Sequence, residues 1–338
     1  MTNTSTIRIK NDAIVFGPHG VEVRFMRTLR IPDNGNAYPL PPGFGSFPVR
    51  RVHDYLDRVP KEWRERGGVF LPMYQREAMW LNFSCPSWRP RALQVGVGKV
   101  CAVSGAAWTG SLRSKKQNYM SLPQQPWLDG IADGHGTIRQ FVAMPLGMGY
   151  TVEGQVTGEE VFGGVQLKVF EPKAGLFPTE PPVPSPRRCR SAPMSQSAAM
   201  PCAPAAAKES MGLAAGGRMK QKIYEDRHGI ETWDAMNTSR VFVHLVNSHV
   251  WRDITGEEAP RSPVSAREYE QAGLPWFDLY DEHVPAVHGA TAFAGVKSVA
   301  EMDVAKFGNP IGDNGDVEVP AVHSVALQDP NGVYDGSW

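Results

Sequence analysis

Two carboxylates and an imidazole fall within seven residues in Asp129-Gly-Ile-Ala-Asp133-Gly-His135-Gly. Such groups suit metal-assisted or acid–base hydrolysis, because one acid can hold a metal or take a proton while histidine changes charge near neutral pH. That chemistry requires the loop to fold back on itself, and Gly130, Gly134 and Gly136 permit it. The same glycines serve a plain turn. Asp-Gly is a favoured turn dipeptide and occurs twice here, so the turn reading carries more weight. The spacing fits neither an EF-hand calcium loop nor a histidine-rich zinc helix.

A second group lies in Trp276-Phe-Asp278-Leu-Tyr-Asp281-Glu-His283, where an aromatic run meets acids and a histidine. Trp276, Asp278, Asp281 and His283 suit recognition by stacking and cation–π contact, with a protein or a carbohydrate as partner. The competing expectation is a strand that buries Trp276 and exits into an acidic loop. His244, in Val241-Phe-Val-His-Leu-Val246, shares a strand face with Phe242 and Val246. A lone histidine on such a face is usually a hydrogen-bonded core residue, and His244 would gain a role only beside a carboxylate such as Asp278. Gly96 and Gly98 precede Lys99, but Val100 and Cys101 stand where a phosphate loop or a dinucleotide fingerprint needs other residues. A Gly-x-Ser-x-Gly elbow is absent, and the sequence implies no particular cofactor or metal.

The elements that must position these residues read mainly as strands. Val21–Ile31, Leu93–Val103, Ile138–Met144 and the buried run Val241–Val246 have strand character. Tyr150, Val152 and Val156 share one parity, and Val165, Leu167 and Val169 alternate with polar residues, which predicts a hairpin over Tyr150–Phe170. Helix signals are few. His53–Arg66 carries helical spacing limited by Pro60, and Ser265 with Glu268 predicts a capping box opening a helix at Ala266–Ala272. Val264 and Tyr269 would form its hydrophobic staple, and Gly273 its stop.

The Pro-, Ala- and Ser-rich stretch 172–210 cannot recover its ordering entropy by packing and reads as a disordered linker or inserted loop. It divides a β-rich part, 1–171, from an α+β part, 211–300, and an acidic tail, 301–338, with seven acids against Lys306. Gly and Pro together number 63 of 338 residues, which favours turns and short strands. The expected fold is mainly β with short helices, built on an antiparallel sandwich-like core. Net charge is zero, giving no field for nucleic acid or an anionic membrane, and no run approaches the roughly 18 apolar residues of a membrane span. Four cysteines without a Cys-x-x-Cys pair, and a polar start without a signal sequence, point to the cytoplasm. The function expected is non-enzymatic binding or assembly, with hydrolysis by Asp129, Asp133 and His135 as the alternative.

Overall fold

Alternation of side chains across each strand fixes the core. The computed structural model describes residues 7–132, 137–182, 210–262, 265–272, 276–280, 287, 293, 295–312, 314–317, 319 and 322–326. Its main strands are β1 (Ala13–Phe16), β2 (Glu22–Thr28), β3 (Val69–Met73), β4 (Ala78–Ser84), β5 (Arg91–Val97), β6 (Gly130–Ala132), β7 (Ile138–Pro145), β8 (Val165–Pro172), β9 (Ser210–Met219) and β10 (Trp233–Asn247). They belong to one large, mostly antiparallel sheet. A separate parallel pair joins β11 (Trp276–Tyr280) to β12 (Val322–Ala326).

The pairings run β1–β2–β4–β7–β9–β10–β8–β5, all antiparallel, and β3 lies parallel to the far edge of β10. The sheet bends so that its two ends share one core. Phe25 and Leu81, from β2 and β4, belong to the same buried cluster as Leu93, Leu167 and Val243, from β5, β8 and β10. Strands on both sides of 183–209 therefore complete each other: β7 pairs with β9, and β8 with β10. The stretch 183–209 itself, including Arg187, Arg188 and Arg190, lies outside the described residues, while Pro172 ends β8 and Ser210 opens β9.

Three expectations change. Tyr150–Val156 is not the first strand of a hairpin, because Val152–Thr157 forms helix α2. Val152 and Val156 are four residues apart, which satisfies a helical face as well as strand parity. What decides is the termini: the Thr151 hydroxyl accepts from the Gly154 amide, and Gly158 ends the helix at φ 80°. The helix expected over His53–Arg66 is divided by Pro60 into a 3-10 turn, Val52–Tyr55, and α1 (Lys61–Arg66). The acidic segment opening at Glu301 does not begin as a solvated tail. Val299–Phe307 is a helix whose Asp303 is wholly buried. There Arg76 donates to Asp303 through both terminal nitrogens at 2.8 Å, the Tyr150 hydroxyl donates at 2.7 Å and the Ile311 amide at 3.0 Å. Burial alone would raise this carboxyl, but Arg76 and Tyr150 hold it below the usual range.

The expected capping box is present. The Ser265 hydroxyl accepts from the Glu268 amide at 3.2 Å and the Glu268 carboxylate accepts from the Ser265 amide at 2.7 Å, opening Ala266–Gln271. Val264 and Gly273 lie outside the described residues. Ser265→Ala should cost about 1 kcal/mol in urea unfolding, and an unchanged midpoint would show that the cap contributes nothing. Asp303→Ala strips the part-buried Arg76 guanidinium and the buried Tyr150 hydroxyl of their shared partner and should cost about 3 kcal/mol in the same measurement. A loss below about 1 kcal/mol would mean that the helix is held by its apolar face alone.

Candidate functional site

Of the first cluster, Asp129 is described, and Asp133 and His135 lie outside the described residues. Asp129 is buried at the foot of the β6–β7 hairpin. The Gln221 side-chain amide donates to Asp129 Oδ2 at 2.7 Å, and its carbonyl accepts from the Asp129 backbone amide at 3.1 Å. Burial pushes this carboxyl up to about 7. Gly130 is required next to it, since a Cβ there would lie 1.8 Å from the Arg139 carbonyl oxygen.

Trp276 offers no face to a ligand. It is fully buried, with Tyr38 and Tyr269 rings at 6.2 and 6.0 Å. Asp278 sits in β11 opposite Ser324, and Asp281 and His283 lie outside the described residues. His244 is buried in β10, stacked on Trp63 at 4.6 Å, with its Nε2 2.9 Å from the Gly67 carbonyl oxygen. Burial pushes it down to about 4, so the ring is neutral and Nε2 donates.

The β6–β7 hairpin leads instead to a residue that carries no motif. Arg139 follows Ile138 in β7 and lies directly opposite Arg218 of β9. Like charges directly opposite each other destabilise a sheet unless something intervenes. The pair lines a cleft of about 580 Å³ between β9, the loop at Asp33 and helix α5, where α3 is Ser248–Thr255, α4 is Ala266–Gln271 and α5 is Val299–Phe307. The Arg139 side chain is 10% exposed. One terminal nitrogen donates to the Val296 carbonyl at 3.0 Å and to Glu301 at 3.2 Å, while Nε has no partner.

The carboxylates of the cleft have other work. Glu301 accepts from the Ser298 amide at 2.6 Å as one arm of the capping box of α5, and Asp33 accepts from the Ala300 amide at 2.8 Å. Backbone hydrogen bonds and Arg139 hold Glu301 below its ordinary pKa, against the opposing effect of burial. Lys297 also lines the cleft. Its backbone is clamped by Gln155 on both sides, at 2.7 and 3.0 Å, and its ammonium makes no ion pair among the described residues. Arg139, Arg218 and Lys297 thus gather at one cleft whose described carboxylates, Asp33 and Glu301, each cap the start of α5. Gly217 lets β9 approach, because a Cβ there would lie 2.4 Å from the Pro32 carbonyl oxygen.

No protein-family model, curated protein or solved structure matches the chain. The site therefore rests on its own chemistry. A buried guanidinium with an unused N–H, beside a second arginine and a lysine, has the chemistry to donate charge-assisted hydrogen bonds to an oxyanion. Among the described residues no group of three His, Cys, Asp or Glu could hold a metal ion. The sequence signal for this cleft was slight: Arg139 and Gln140 interrupt an otherwise apolar strand.

Asp129 generates a pH prediction. Its folded pKa, about 7, lies above the ordinary 3.8, so its stabilising share is complete below about pH 4 and is lost as pH rises through 7. Asp129→Asn stays neutral and keeps the amide contact. Wild type and variant should match near pH 4 and diverge by pH 8, the variant being more stable by at most roughly 4 kcal/mol. Glu77, pushed up to about 7 by burial, and His244 titrate in both proteins, so the difference isolates Asp129. Parallel stability curves from pH 4 to 8 would refute the buried-acid reading.

Proposed function

We propose that this is a non-enzymatic binding protein whose cleft at Arg139, Arg218 and Lys297 holds a small ligand by an oxyanion group. The observation that carries this reading is Arg139 Nε, an unpartnered donor on a side chain 10% exposed, set across the strand pair from Arg218. A buried donor without an acceptor costs about 1–3 kcal/mol, and a bound carboxylate or phosphate recovers it. The volume, about 580 Å³, lies within the range of small-molecule sites.

The hydrolytic alternative has one favourable observation, the Asp129 carboxyl near 7. Its described side-chain partners are the amide of Gln221 and the indole of Trp127, neither of which moves a proton at neutral pH, and this weighs toward binding. The place of action we propose is the cytoplasm. No helix among the described residues is long and apolar enough to cross a membrane, and Cys85 and Cys101 are free thiols.

Titration calorimetry of the full chain at low salt, with phosphate, sulfate and citrate as probes, tests the proposal. At least one probe should bind, and Lys297→Gln and Arg218→Gln should each weaken it by about ten-fold, the loss shrinking as salt is added. Absence of binding by all three probes, or affinity indifferent to both substitutions, would overturn it.

A further inference from the structure

A second concentration of unbalanced charge lies on the face of β5, β8 and β10 turned away from the main core. Leu93, Leu167 and Val241 point into that core, so Gln94, Lys168 and Arg240 stand on the other side. Lys168 is directly opposite Arg240, a second like-charge pair across neighbouring strands. The Lys168 ammonium donates to the Gly110 carbonyl at 2.6 Å, and its pKa is lowered by burial and then by Arg240.

Beside this pair, rings and cations alternate in a continuous stack. Trp63 packs on His244, and His244 meets Phe242 at 4.5 Å. The Arg66 guanidinium follows, 5.8 Å from the Phe242 centroid and 4.1 Å from that of Phe162. Lys99 ends the series, 4.3 Å from the Phe162 ring. The inner members, Trp63 and His244, are buried, while Phe162 and Phe242 are partly open and line a groove of about 400 Å³ with Arg66, Arg240, Gln166 and Glu65. Gly68 is compulsory at its floor: its φ is +86°, and a Cβ would lie 2.1 Å from the Phe242 carbonyl oxygen.

The cations here have few answering anions: the Glu153 carboxylate acts on Lys99, which ends the series beyond the groove lining. Glu65, the groove's one acid, pairs with Lys61 at 3.7 Å. Arg66, Lys99 and Arg240 make no ion pair among the described residues. An occupant must bring negative charge to relieve Lys168 against Arg240, and a flat ring to extend the alternation of rings and guanidinium. The volume limits it to a small molecule. We propose that this groove binds a small aromatic anion of the nucleoside monophosphate class, with the ring on the surface formed by Phe242, Arg66 and Phe162 and the phosphate taken by the arginines. Such binding needs no glycine-rich phosphate loop, because the charge comes from side chains on strands and on α1. It is independent of the Arg139 cleft.

The test is calorimetry of the full chain at low salt with AMP, adenosine and ribose 5-phosphate. AMP should bind, and Arg240→Gln and Phe162→Leu should each weaken it by about ten-fold. Adenosine and ribose 5-phosphate should show no binding that either substitution alters. Without ligand, Arg240→Gln should melt above wild type, since it removes the charge facing Lys168. The proposal is overturned by absent AMP binding, or by AMP affinity that survives both substitutions but falls in Arg218→Gln, which would place the nucleotide in the cleft. It is equally overturned if ribose 5-phosphate loses as much from Arg240→Gln as AMP does, or if that variant melts below wild type.

Discussion

A carboxylate denied all contact with water must find every hydrogen bond it needs within the protein. Asp303 is such a group, and much of the structure around the cleft follows from satisfying it. Arg76 comes from the turn between β3 and β4, Tyr150 from the approach to α2, and the Ile311 amide from the chain beyond α5. Three segments far apart in sequence are thereby fixed on one turn of helix. Arg76 holds a φ of 69° to reach it, a conformation a non-glycine residue rarely accepts without compensation. Because Asp303 sets the position of α5, it also sets Ser298 and Glu301, and through Glu301 the orientation of Arg139.

How far the sequence revealed this depends on the kind of signal. The strands with long alternating or apolar runs, Val21–Ile31, Ile138–Met144 and Val241–Val246, were legible because burial on a sheet imposes period two over many residues. Tyr150–Val156 misled because an interval of four residues belongs to both periods, and only Thr151 and Gly158 separated them. Ser265 was legible since a capping box is written within four residues. Asp303 was not: its side-chain partners, Arg76 and Tyr150, stand more than 150 residues away, and an acid in an acid-rich segment looks like solvent-facing sequence.

The candidate sites divide along the same line. Reading clusters along the chain drew attention to Asp129, Asp133 and His135, and to Trp276, yet Trp276 is core and Asp129 is answered by Gln221. The cleft and the groove are instead clusters across strands, Arg139 with Arg218 and Lys168 with Arg240. Each pair is separated by scores of residues and becomes a pair only once register is known. In both places two cations face each other across neighbouring strands, the feature on which the two binding proposals rest.

The parallel seam between β3 and β10 bears on how the chain is made. Val69 meets Val243 and Met73 meets Asn247, so the partner of β3 is synthesised about 170 residues later. At ribosomal speeds of about 5–20 residues per second, that interval is roughly ten to thirty seconds. Throughout it, Val69–Met73 presents an apolar strand with one edge open, the kind of surface that pairs with the wrong chain. The nascent protein thus remains incomplete until β10 emerges, and its yield in a cell should depend on how well that waiting edge is shielded.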